Sequence, residues 1–239
     1  RDLTERYLAV LPSNGVREEA RPVRPPFPAG VVKGSLELGI EPKSEVFLAF
    51  GGEASIGDKD YELFDMLVML IDLRLREVIR EELGGSYGVQ VSGNLTNYPD
   101  PFYTLAIEFG CEPGREEALS AAVMEQLRWL SGEPTPESYL VKLRETFRRG
   151  KESGLKNNRY WHSMIVAELM RGRPLDSIMD TEGVLSRVNG ETMMRLARRF
   201  INPDNRVEAY LLPAAPAEPA ASAEPAAPGE PVEAPVGTR

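Results

Sequence analysis

Histidine and cysteine are almost missing from this 239-residue chain, which holds one of each, His162 and Cys111. One thiol cannot build a disulfide framework. With a single imidazole beside it, no Cys₄, Cys₂His₂ or His₃ zinc site can be assembled from this chain. His162 would also have to serve as the only imidazole base of any triad. Basic charge is scarce: 28 Lys and Arg stand against 37 Asp and Glu, a net charge of −9, with a pI near 4.9. That balance excludes a nucleic-acid footprint. Long apolar runs are absent as well. The most apolar stretch, Phe64 to Leu75, is broken by Asp65, Asp72 and Arg74, so no membrane span is expected. The first residues, Arg1-Asp2-Leu3-Thr4-Glu5-Arg6, form neither a signal peptide nor a chain start, so a longer parent is expected.

What the chain does have is unevenly distributed. Residues 213–239 contain seven Pro and nine Ala with Glu218, Glu224, Glu230 and Glu233, and little to bury. This composition predicts a disordered tail leaning towards polyproline II. Residues 1–29 read as the end of a preceding domain plus a stiff linker: Leu3, Tyr7, Leu8 and Leu11 repeat at helical spacing, and Pro22, Pro25, Pro26 and Pro28 follow. The folded domain is expected over 30–212, and its fold class is α+β. Val31 to Ile40 and Ser44 to Gly51 are expected to be partner strands, and Tyr61 to Leu83 a long helix ended by Gly84-Gly85. Tyr87 to Ser92 and Phe102 to Phe109 are two further strands. Helices are predicted over Arg115 to Leu130, from a Thr135-Pro136-Glu137 cap, and over Asn158 to Arg171, Leu175 to Val188 and Gly190 to Ile201. A last strand spans Arg206 to Leu212. The order implies two layers, an antiparallel-rich sheet covered by helices on one side.

The densest chemistry lies in Arg80-Glu81-Glu82-Leu83-Gly84-Gly85-Ser86-Tyr87. Arg80 falls about 160° from Phe64 on a helical wheel, opposite the apolar stripe. Tyr87 follows the glycine turn, so a guanidinium and a phenol are expected to converge and hold carbonyl oxygens of an extended peptide. A structural reading stands beside this one, since an Arg near a helix C-terminus complements the dipole and Tyr is common in strands. His162, next to Trp161, reads as a packed or capping residue. Arg144, Arg148, Arg149 and Lys151 read as a solvated helix face or a seat for a partner lobe. Glu108 and Glu112 are a carboxylate pair with no sign of convergence. Asn94-Leu95-Thr96 is a chance-level glycosylation triplet. Gly84 to Gly88 is not a phosphate loop, because it follows a helix instead of preceding one.

The stretch Leu75-Arg76-Glu77-Val78-Ile79-Arg80-Glu81-Glu82-Leu83-Gly84-Gly85-Ser86-Tyr87-Gly88-Val89 resembles the second half of the pitrilysin or insulinase-type "inverted zincin" peptidases. Glu41 to Phe50, Leu140 to Arg149, Asn189-Gly190-Glu191-Thr192 and Tyr210-Leu211-Leu212-Pro213 fit the same pattern in the same order, over Val31 to Pro213. The resemblance implies a pitrilysin-like metallopeptidase domain within a bilobal clamshell. In that arrangement one lobe carries zinc on a His-x-x-Glu-His helix plus a distant Glu, and the other grips substrate. It assigns Tyr87 to hydrogen-bonding the oxyanion or a substrate carbonyl, and Arg80 to clamping the substrate backbone. The zinc motif maps nowhere on this chain, so no cofactor is expected here, zinc is expected in the partner lobe, and the chain alone should be inactive. The implied partners are a zinc-bearing N-terminal lobe or subunit and an extended peptide. The alternative is a non-catalytic scaffold subunit of a heterodimer, and a third reading is a standalone peptide-binding module. The bacterial cell envelope, where relatives occur, suits the Pro-Ala-Glu tail.

Overall fold

The computed structural model describes residues 1–12, 15–16, 25–39, 41–55, 57, 60–83, 88–97 and 99–214, the side chains of 60 and 80–83 excepted. Five strands are described: β1 (Val31–Glu37), β2 (Ser44–Glu53), β3 (Val89–Thr96), β4 (Phe102–Cys111) and β5 (Arg206–Leu212). They form one sheet in the order β1-β5-β2-β4-β3. Its pairs are antiparallel except β1 with β5. The helices are α1 (Asp2–Tyr7), α2 (Asp60–Leu83), α3 (Glu116–Gly132), α4 (Glu137–Gly154), α5 (Asn158–Met170), α6 (Thr181–Leu185) and α7 (Gly190–Phe200), with a 3₁₀ turn at Leu175–Met179 before α6. The α+β class and the one-sided helical cover both hold.

Period-two burial sorts the sheet into a packed face and an open one. Val46, Leu48 and Phe50 of β2 stand opposite Phe109, Ile107 and Leu105 of β4, all fully or nearly fully buried under the helices. The longest helix, α2, lies across β3 and closes this face. It can approach because Gly93 of β3 has no side chain: a Cβ there would sit 2.4 Å from Val68 Cγ2 and 2.7 Å from Phe64 Cε1. Phe200 at the end of α7 fills the corner, edge-on to Phe64 and Tyr103 with centroids 4.7 and 5.0 Å away. Arg74 of α2 lies over the Trp129 ring and donates to Tyr139, which locks α2 to α3 and α4.

Four expectations need correction. Val31 to Ile40 does not pair with β2, because β5 inserts between them and takes β1 as a parallel partner. Gly30 N–H donates to Asn205 Oδ1 at 2.8 Å, and Lys33 reaches the buried Glu208, so β1 binds where its charge is needed. Leu175 to Val188 is not one helix. Asp180 leaves helical geometry and accepts from Gly183 N–H at 2.9 Å, capping a new short helix. Thr135 does not cap α4. Pro136 is the cap residue, and Thr135 Oγ1 is buried without a hydrogen-bond partner among the described residues. His162 is exposed on α5, where Asn157 provides the cap, so it neither packs nor caps. The Gly84-Gly85 turn lies outside the described residues.

Candidate functional site

Among the described residues the other face of the sheet carries no helix. Its central rows read Gln90-Glu108-Phe47-Ala209-Gly34 and Ser92-Ala106-Ala49-Val207-Val32 across the five strands. Small residues keep this surface flat, while Phe47, Val32 and Leu36 remain 36, 42 and 59% exposed. At one end the surface deepens into a cavity of about 550 Å³, bounded by Lys43, Glu45 and Phe47 of the β2 edge, Glu108 and Gly110 of β4, Leu211 of β5, and Gly88. Lys43 donates to Glu45 at 2.8 Å across the rim.

Gly88 connects this cavity to the residues singled out in the sequence. Arg80 lies in the last turn of α2, and Gly88 follows Tyr87 directly in the chain and is exposed at the cavity wall. The Arg80 side chain and all of Tyr87 lie outside the described residues, so their convergence remains an expectation. Of the lesser candidates, Glu108 faces the cavity. Glu112 lies four residues on, past the end of β4, about 13 Å of strand away and too far to share a proton. Arg144, Arg148 and Arg149 form no free basic face: they pair with Glu137, Glu182 and Glu145. Asn94 is exposed on β3.

Two strand edges, β1 and β3, are open to pair with an extended chain, and the flat face between them offers apolar contacts with a polar rim. The residues present do not fit zinc. Among the described residues no group of three or more His, Cys, Asp or Glu is placed to hold a metal ion. Cys111 is 2% exposed, and burial, with Glu116 nearby, pushes its thiol up to about 11, far from the thiolate a metal requires. Among the described residues no helix is long and apolar enough to cross a membrane.

Sequence reasoning missed two features. One is the open face, whose alternating small residues give no hydrophobic signal. The other is Glu208, a 2% exposed carboxylate inside what reads as a plain strand. Burial alone would raise its pKa, but hydrogen bonds from Tyr210, Ser120, Lys33 and Arg206 more than reverse this and hold it at about 2.

Known proteins place the chain. The family profile described as "Peptidase M16 inactive domain" matches residues 1–147. No curated protein matches the sequence. Among solved structures, the periplasmic protease PqqL from Escherichia coli superposes with a TM-score of 0.69 at 18% identity, covering 89% of this chain and 24% of that one. A point mutant of the ferredoxin protease FusC, in complex with Arabidopsis ferredoxin, gives 0.71 at 16% identity, covering 90% and 23%. An M16 inactive domain from Pseudomonas fluorescens gives 0.64 at 17% identity, covering 85% and 48%. The chain therefore spans about a quarter of the PqqL and FusC chains. With more than half its length under the family profile and an M16 peptidase-domain fold, the chain belongs to the M16 inactive-domain family, the pitrilysin-like C-terminal part that carries no zinc motif.

Proposed function

We propose that this domain grips extended polypeptide for a zinc metalloendopeptidase whose zinc and water-activating carboxylate sit on another lobe. The observation that carries this reading is the uncovered sheet face, with its cavity opening at Gly88 beside Tyr87 in the chain. An extended peptide laid on that face finds an open strand edge at β3 and apolar contact at Phe47. Tyr87 then donates a hydrogen bond to the developing oxyanion or a neighbouring carbonyl, and Arg80 clamps a second carbonyl. The bond-breaking step belongs wholly to the partner lobe. A polypeptide substrate is favoured by likeness to FusC, whose structure holds a protein, ferredoxin. Leu169 and Met170 of α5 and Leu3 and Leu8 near α1, all more than 60% exposed, offer apolar surface for the adjoining lobe.

The test uses the intact two-lobe protein on a quenched fluorescent peptide. Tyr87→Phe is expected to lower kcat by about 10²-fold with the thermal midpoint unchanged. Unchanged hydrolysis removes Tyr87 from the site. The family's inactive-domain description favours a second reading, a non-catalytic scaffold subunit. That reading wins if the wild-type assembly binds peptide but does not hydrolyse it, whatever residue stands at 87.

A further inference from the structure

At the end of the sheet away from Gly88, three depressions run into one another. The first, about 820 Å³, lies over Gly51 and Gly52 and is walled by Phe27, Pro99, Pro101 and Phe102. Phe27 lies so close that a Cβ on Gly51 would meet its ring at 2.6 Å. Through Glu53, Ala54 and Ser55 it joins a second depression of about 520 Å³. Tyr103 and Arg199 carry that into a third, also about 520 Å³, where Arg128 of α3 meets Arg198 and Arg199 of α7. Shared walls thus join a proline-aromatic half to an arginine half. Arg198 is fixed by donating to the Ser131 and Gly132 carbonyls at 2.6 and 3.2 Å, which caps α3. Arg128, which is exposed, and Arg198 have no carboxylate partner among the described residues, although the chain as a whole carries −9.

The chemistry of the missing occupant can be read from these halves: prolines for the aromatic wall, carboxylates for the arginines. The chain's own C-terminal segment has that pattern. Glu218-Pro219, Glu224-Pro225 and Glu230-Pro231 recur every six residues. A polyproline II helix has three residues per turn, so six residues are two turns, and a segment docked in that form would present its glutamates on one face about 19 Å apart. Reach selects among them. Pro203 and Asn205, just before β5, line the groove, while Ala214 leaves from the strand's far end. Retracing that seven-residue strand, about 23 Å, takes roughly eight residues of polyproline II. Glu218 falls short, and Glu224-Pro225 is the first pair to arrive. Glu53 and Asp100 border the aromatic half and repel a carboxylate there, which directs the glutamates to the arginine end.

We propose that this groove is a docking site for acidic, proline-punctuated segments, and that the chain's own segment from Glu224 to Pro231 occupies it. The contact is intramolecular, covers the Gly51 end of the open sheet face, and leaves the Gly88 cavity at the opposite end untouched.

The test uses the full chain with Ser222→Cys carrying a nitroxide, since the buried Cys111 does not compete for label. Electron paramagnetic resonance at low salt is expected to show a slow component that dilution does not change and that added salt removes. Arg128→Glu, at an exposed position, should lower the docked-to-free ratio on the order of fivefold, and Glu224→Arg in the same chain should restore it. Should Arg128→Glu misfold by circular dichroism, Glu224→Arg alone serves as the second variant and should lower the ratio likewise. A spectrum as fast as that of the synthetic peptide 215–239 overturns the proposal. So does a slow component indifferent to both charge reversals. A slow component that grows with protein concentration overturns the intramolecular assignment and gives the groove to a second copy's tail.

Discussion

Replacing Glu208 with Gln isolates the most unusual charge in the fold. Its carboxylate receives Ser120 Oγ at 2.8 Å, Lys33 Nζ at 3.3 Å, Arg206 at 3.0 Å and the Tyr210 hydroxyl, and it is 2% exposed. Its pKa falls from the ordinary 4.5 to about 2 on folding. Because the folded value is the lower one, the stabilisation is fully present above about pH 4.5 and is lost as pH falls through 2. A shift of that size corresponds to about 3 kcal/mol. Glu208→Gln keeps the shape but removes the charge and leaves Arg206, only 16% exposed, without its carboxylate. At pH 7 the variant should lose about 3 kcal/mol in urea denaturation, or on the order of 8 °C in Tm for a domain of this size. The gap between wild type and variant should then close as pH falls from 4.5 to 2. Because β1 pairs, among the described residues, with β5 alone, its amides should lose hydrogen-exchange protection first. A gap that stays constant between pH 7 and pH 2.5, or one below about 1 kcal/mol at pH 7, would show that the network does not hold this edge of the sheet.

Two further outcomes test the packing. Gly93→Val places branched carbon where Val68 and Phe64 already stand, so α2 must lift from β3 at a cost of roughly 1–3 kcal/mol, read as a lowered urea midpoint; an unchanged midpoint would deny the close approach. Asn189→Ala removes the side chain that accepts from Thr192 N–H at 2.9 Å at the start of α7, and about 1 kcal/mol should be lost with faster exchange at Thr192 and Met193.

The elements legible in the sequence are those whose stabilisation is local. Tyr61 to Leu83 announces itself by an apolar stripe, and Arg206 to Leu212 by its strand composition between turn residues; both stand where expected, within a residue. What was illegible depends on residues far apart in the chain. The β1–β5 pairing joins Lys33 to Glu208 across 175 positions, and no window of sequence contains both. Glu208 itself looks like a solvent-facing strand residue until Ser120 of α3 is brought over it. The break at Asp180 was present in the sequence as an Asp three residues before a Gly, but the apolar spacing on either side concealed it. The same holds for the two surfaces. The open face is written in alanines and glycines that give no pattern of their own. The arginine groove is assembled from α3 and α7, about seventy residues apart, together with a phenylalanine from the linker.

The near-absence of histidine and cysteine acquires a physical meaning when set against the two faces of the sheet. Imidazole and thiolate are the commonest metal ligands and proton-transfer groups, and here the one imidazole is exposed to solvent and the one thiol is sealed under the helices. Backbone edges and a flat apolar floor offer instead the contacts that any extended peptide can make. In the gripping role proposed for it, such a surface is constrained by its shape and by where its donors stand. That explains why the packed face invests a buried, fully satisfied carboxylate in holding β5 and β1 in place. The open face is only as well defined as the strands that present it, and Leu211 at the cavity wall follows directly on Tyr210, which donates to Glu208 from the other side of the same sheet.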